Sequence, residues 1–167
     1  MDKHKNDHAI TRKSLLGTTP EATYGGVTSF MRRKYTKDMS GVDVAVMGVP
    51  FDTATTNRSG ARMGPRAIRN ASTIMAWERP YGTDFDPFDK LAVVDAGDAY
   101  FDFGKPESVP DAIESAAYAL ISQGPGLLSL GGDHFISYPL IKAHVRKHGG
   151  PISILHFDAH SDTWADE

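Results

Sequence analysis

Five side chains able to bind a divalent cation or move a proton fall into two short clusters. Gly131-Gly132-Asp133-His134 follows the apolar run 127–130, and Asp158-Ala159-His160-Ser161-Asp162 follows the apolar run 152–157. His134, His160, Asp158 and Asp162, in a chain without cysteine, make a mixed nitrogen–oxygen donor set. Such a set suits Mn, Fe or Zn better than a thiolate-loving ion. Successive side chains of an extended backbone point to opposite sides, so Asp158, His160 and Asp162 share one side if extension persists past Phe157. Ala159 and Ser161 are small enough to let the backbone approach an ion. Asp133 adds a third carboxylate, and three converging carboxylates repel unless cations neutralise them. The competing reading makes the aspartates turn or capping residues and the histidines satisfied core groups. It serves for any one of them, but poorly for two such clusters, each closing an apolar run.

Something must hold these residues in place. Short apolar runs bounded by Gly and Pro read as buried strands of a parallel sheet, and open α/β sheets carry their sites at the strands' carboxyl ends. Residues 43–50 and 91–98 read as two earlier strands. Pro65 sits where a first helical position should, before Arg66-Ala67-Ile68-Arg69. Residues 109–123 have helical spacing, with Ile113, Ala116, Ala117, Leu120 and Ile121 on one face, and Gly124-Pro125-Gly126 stops them. A further helix spans 137–148, with Leu140, Ile141 and Val145 apolar and His144 and His148 at its basic end rather than in a metal site. His156, on the parity of Asp158, reads as a hydrogen-bonded core residue of a fourth strand. Asp95 and Asp98 read as turn residues. The alternation predicts an α/β fold, a three-layer α/β/α sandwich with a mostly parallel sheet. The loop 51–64 should then face the metal residues, as a pocket wall or a subunit contact; alternatively Arg62 and Arg66 make salt bridges there.

The 167 residues can bury one sizeable core. A net charge of −3 and a pI near 6.1 make no case for nucleic acid or a membrane surface. No apolar run is long enough to cross a bilayer, and the first residues lack the apolar stretch of a secretory signal. The lack of cysteine excludes a disulfide framework and fits a cytoplasmic location. His4 and His8 read as part of a solvated terminus, and Met31-Arg32-Arg33-Lys34 as a solvated basic face or a partner contact.

G-G-D-H at 131–134 and D-A-H-S-D at 158–162 resemble the two leading metal motifs of the ureohydrolases, the family of arginases and agmatinases. The stretch from Gly48 through Asp52, Arg62 and Pro65 to Arg69 resembles the agmatinase branch. The resemblance implies two Mn(2+) ions activating a bridging water. His134 would bind the first ion and His160 the second; Asp158 would bridge both, and Asp162 would bind the first. Asp133 would orient the histidine beside it. Arg62 and Trp164 become substrate-pocket candidates. Trp164 stands where arginases carry an asparagine for the substrate α-carboxylate, which disfavours arginine and suits agmatine, cleaved to putrescine and urea. Guanidinobutyrate or another guanidino acid stays open.

The family's third motif, S-x-D-x-D-x-x-D-P, and its H-G histidine have no match here. The resemblance is thus to an N-terminal half: a polar extension over 1–40, then the first part of one catalytic domain over 41–167. Residues 152–157 would lack a strand neighbour, because later strands separate the fourth from the first three in the family's sheet. The chain alone is expected to be inactive, and the whole protein to be a cytoplasmic homo-oligomer, trimer or hexamer. A reading from another class is a catalytically inactive metal-binding or assembly module.

Overall fold

The computed structural model describes residues 6–163; Trp164 and His4 lie outside them. Four parallel strands form one sheet, β1 (Lys34–Tyr35), β2 (Val44–Val49), β3 (Val93–Asp98) and β4 (Gly126–Gly131), in the order β1-β3-β2-β4. Four α-helices accompany them: α1 (His8–Thr11), α2 (Gly64–Ser72), α3 (Val109–Ile121) and α4 (Ser137–His148).

Strand alternation sorts the core into two faces. Ala45, Met47 and Val49 of β2 join Val94 and Ala96 of β3 against Val109, Ile113, Ala117 and Ile121 of α3 and Ala143 of α4. Val46, Val93 and Leu130 point the other way, toward Phe30 and Phe88. On that second side α2 is fastened to β3. The Arg69 guanidinium donates to both carboxylate oxygens of buried Asp95, at 2.7 and 3.0 Å, and to Asp98 at 2.6 Å. Turn chemistry explains only the bond from the Gly97 N–H to Asp95; the larger role of Asp95 and Asp98 is to anchor Arg69. In α4 the buried residues are Pro139 and Ala143, with Leu140 packed against the core, while Val145 is exposed, so only Val145 leaves the face its sequence pattern suggested.

Three sequence expectations change here. Residues 8–40 are not merely a polar appendage: Ala9 is fully buried, and Lys34 and Tyr35 pair with Val94 and Asp95 as an edge strand. The basic cluster is not solvated, since Arg32 and Arg33 are both buried. Arg32 pairs with buried Glu21. Arg33 lies 4.0 Å from the Phe88 ring and donates to the carbonyls of Gly17 and Met31; burial lowers its pKa to about 10. The long stems cover apolar surface; carbonyls take the Arg33 head, whereas at Arg32 Nη2 donates to the Ala22 carbonyl and Nε stays without a partner. Finally, residues 152–157 form no strand, and Leu155 and Phe157 are 83% and 89% exposed. A strand draws its backbone hydrogen bonds from a neighbour, and without one its polar groups turn to water. The run 127–130 does form a strand, but at the edge of the sheet, with Leu128 exposed.

Candidate metal centre

β4 ends in the turn that presents His134. Gly132 has φ +66°, and a Cβ there would lie 2.4 Å from the Val49 carbonyl oxygen, so only glycine fits this crossing over the end of β2. Asp133 then ties the turn to the loop after β2. Its N–H donates to the Phe51 carbonyl at 2.8 Å, and one carboxylate oxygen accepts from the Ala54 N–H at 2.9 Å. The other oxygen accepts from the Phe135 N–H at 3.1 Å and caps the short helical turn that carries His134. Asp133 is therefore an orienting group between loop and turn.

Donor atoms of His134, His156, Asp158 and Asp162 lie within 4.8 Å of one another. His134 Nε2 is 2.6 Å from Asp162 Oδ2, and His156 Nε2 is 3.6 Å from Asp158 Oδ2. The two imidazole rings stack at 5.4 Å between centroids. Asp158 is held below the ordinary carboxylate pKa by the His160 N–H donating to it, with His156 and His134 adding positive potential, so it stays anionic at neutral pH. Two imidazoles and two carboxylates at this separation fit one divalent cation.

The arrangement departs from the expected one at two residues. The backbone bends after Phe157 instead of staying extended. Asp158 accepts the His160 N–H at 2.9 Å, and Asp162 has φ +51°. That turn leaves the His160 ring 3.7 Å from Asp158 but outside the four-donor group. His156 takes a place in the group and is exposed, not a core residue. Its parity with Asp158 was the available signal; the assumption of a fourth strand hid it.

The cluster opens on a cleft of about 630 Å³. Ala54, Thr55, Thr56, Asn57 and Arg58 line one side, facing Asp133, His134, Asp158, His160 and Asp162. Arg62 is not in this lining. It donates to buried Asp52 at 2.6 Å and covers the Phe103 ring at 5.0 Å, the salt-bridge alternative for that residue. Asp52 also accepts the N–H groups of Gly60 and Arg62. These bonds, the Arg62 side chain first among them, hold its pKa down to about 2. The cation on the cleft wall is Arg58, which a sequence without coordinates does not distinguish from its neighbour.

The family model described as "Arginase family" matches residues 42–167. An agmatinase from Chromobacterium violaceum is 52% identical over 161 residues, which are 96% of this chain and 50% of that protein. An agmatinase from Edwardsiella ictaluri is 48% identical over 124 residues, 74% of this chain and 40% of that one. Among solved structures, a hypothetical agmatinase from Burkholderia thailandensis superposes with a TM-score of 0.92 at 55% identity, over 97% of this chain and 51% of its own. Proclavaminate amidino hydrolase from Streptomyces clavuligerus gives 0.74 at 35% identity, over 86% of this chain and 48% of its own. The chain thus spans about half the length of the curated relatives it matches. With its parallel sheet, its two motifs at the sheet's carboxyl edge and a family match over most of its length, the chain belongs to the arginase family.

Proposed function

We propose that the protein containing this chain hydrolyses agmatine to putrescine and urea. The carrying observation is the convergence of His134, Asp158 and Asp162 at the mouth of a cleft, in a chain 52% identical to a protein named agmatinase. Guanidinium is a poor electrophile because its charge is delocalised over three nitrogens. Carboxylate oxygens of Asp158 and Asp162 turned away from a bound metal would accept hydrogen bonds from such a cation and orient it. His134, His156, Asp158 and Asp162 would hold a divalent ion, manganese in this reading, with His160 beside them for a second. Bound cations supply positive charge that makes an attacking water more acidic and polarises the reacting group. Asp133 keeps His134 aimed at the cleft by capping its turn.

A guanidino acid is the second reading, favoured by Arg58 in the cleft wall, whose guanidinium would pair with a substrate carboxylate. The decisive assay is urea release from agmatine, guanidinobutyrate and arginine, with manganese, by this chain joined to the C-terminal half of the Chromobacterium violaceum agmatinase. Agmatine should be preferred; a preference for guanidinobutyrate that Arg58→Gln removes would establish the second reading. Manganese binding to the chain itself, followed by calorimetry, should weaken roughly tenfold or more in His134→Ala. Unchanged binding would remove His134 from the metal site.

A further inference from the structure

A second concavity, of about 550 Å³, lies in the N-terminal segment and shares no residue with the metal cleft. His8, Arg12 and Lys13 line it, together with Thr11, Ser14 and Thr19, and no acidic residue does. Thr11 and Ser14 spend their hydroxyl protons on the carbonyls of Asp7 and Leu16. The donors left for a guest are Arg12, Lys13, the His8 ring and Thr19.

Arg12 is the telling residue. Its Nη2 donates to the Gly17 carbonyl at 2.8 Å, while its Nε is buried with no partner. The same carbonyl accepts from Arg33 Nη1 at 2.9 Å, so two guanidinium groups converge on one neutral oxygen. Among the described residues no carboxylate lies within 4.0 Å of either guanidinium. The acids nearby are engaged elsewhere: Asp86, whose charge reaches Arg33 from beyond 4.0 Å, accepts the Phe88 N–H. Glu21 pairs with Arg32 and accepts the N–H groups of Asp7 and His8, and Asp7 accepts the N–H of Val27. Sunken charges in folded proteins are as a rule paired, because desolvation costs more than one neutral hydrogen bond returns. Burial depresses the pKa of both arginines; at Arg33 the Arg12 charge adds to this and Asp86 offsets part of it, whereas Arg12 has no such counter-charge and would gain from a neighbouring anion.

We propose that this concavity binds a phosphate group, held by Arg12 and Lys13 with His8 and Thr19 at its rim. A tetrahedral oxyanion presents several acceptors at once, matching guanidinium, ammonium and hydroxyl donors spread around a bowl. The group could be free phosphate or the phosphate of a larger molecule; the chemistry recognised is the same.

The test is calorimetric titration of the metal-free chain with inorganic phosphate, against chloride at matched ionic strength. Saturable one-site binding is expected, weakened roughly tenfold or more in Arg12→Met, where a charge-assisted contact is lost. A combined Lys13→Gln and His8→Gln variant, changed only around the mouth, should weaken binding about threefold and covers the case in which Arg12→Met fails to fold. AMP binding more tightly than phosphate would identify a larger ligand, and equal affinity the free ion; both support the site. Acetate competing as well as sulfate would overturn the phosphate assignment. So would absence of saturation in the parent chain, or undiminished binding in the mouth variant.

Discussion

Asp52 and Asp133 are both buried carboxylates that accept backbone N–H groups of the loop after β2, Asp52 from Gly60 and Arg62 beside the Arg62 side chain, and Asp133 from Ala54. For Asp52 this has a pH signature. Its folded pKa is about 2, below the roughly 3.9 of an unfolded aspartate. A depressed carboxylate contributes stability that is complete above the unfolded value and is lost as pH falls through the folded one. Acid titration of thermal stability should therefore show a loss between about pH 4 and pH 2 that is smaller in Asp52→Asn. An identical slope in the variant would mean that other carboxylates dominate. The candidate donors His134, Asp158 and Asp162, which the structure brings together, were legible in the sequence because residue type and spacing state a donor set. What the sequence withheld was rotation: which of His156 and His160 joins His134 and Asp162 around Asp158 depends on an Asx bend that spacing does not encode.

The helices and strands were legible where one period dominates. The helix expected over 137–148 is α4 itself, and α3 ends two residues before the expected 123. Strand β1 escaped notice because two residues, Lys34 and Tyr35, carry no pattern; their place comes from tertiary pairing with β3. Fastening of α2 to β3 was equally invisible, since Arg69 and Asp95 are 26 residues apart. That brace is expected to be costly to break. Arg69→Met would leave Asp95 buried with its N–H donors but no counter-charge, at about 3–5 kcal/mol, measurable by urea denaturation. Arg69→Lys should recover little, because an ammonium cannot span Asp95 and Asp98 in the same fork. A loss below about 1 kcal/mol would show that water replaces the guanidinium.

On the scale of the molecule, the sheet ends in two edges, the two-residue β1 and the six-residue β4, and β4 has a free side among the described residues, while beyond α4 runs the exposed apolar segment of Ile154, Leu155 and Phe157. Exposed sheet edges and apolar patches recruit other chains. The isolated chain should associate as its concentration rises, and Leu155→Ser with Phe157→Ser should raise the monomer fraction in light scattering. Association unaffected by both changes would place the sticky surface elsewhere.

Asp133 joins the wall of the cleft to the turn that bears His134 through one carboxylate, one oxygen to each. The two are thereby thermodynamically linked. A guest that orders residues 54–58 would, by the same free energy, tighten the hold of His134 on its cation, and the cation would tighten the hold on the guest. In Asp133→Ala that reciprocity should vanish even where each partner still binds alone.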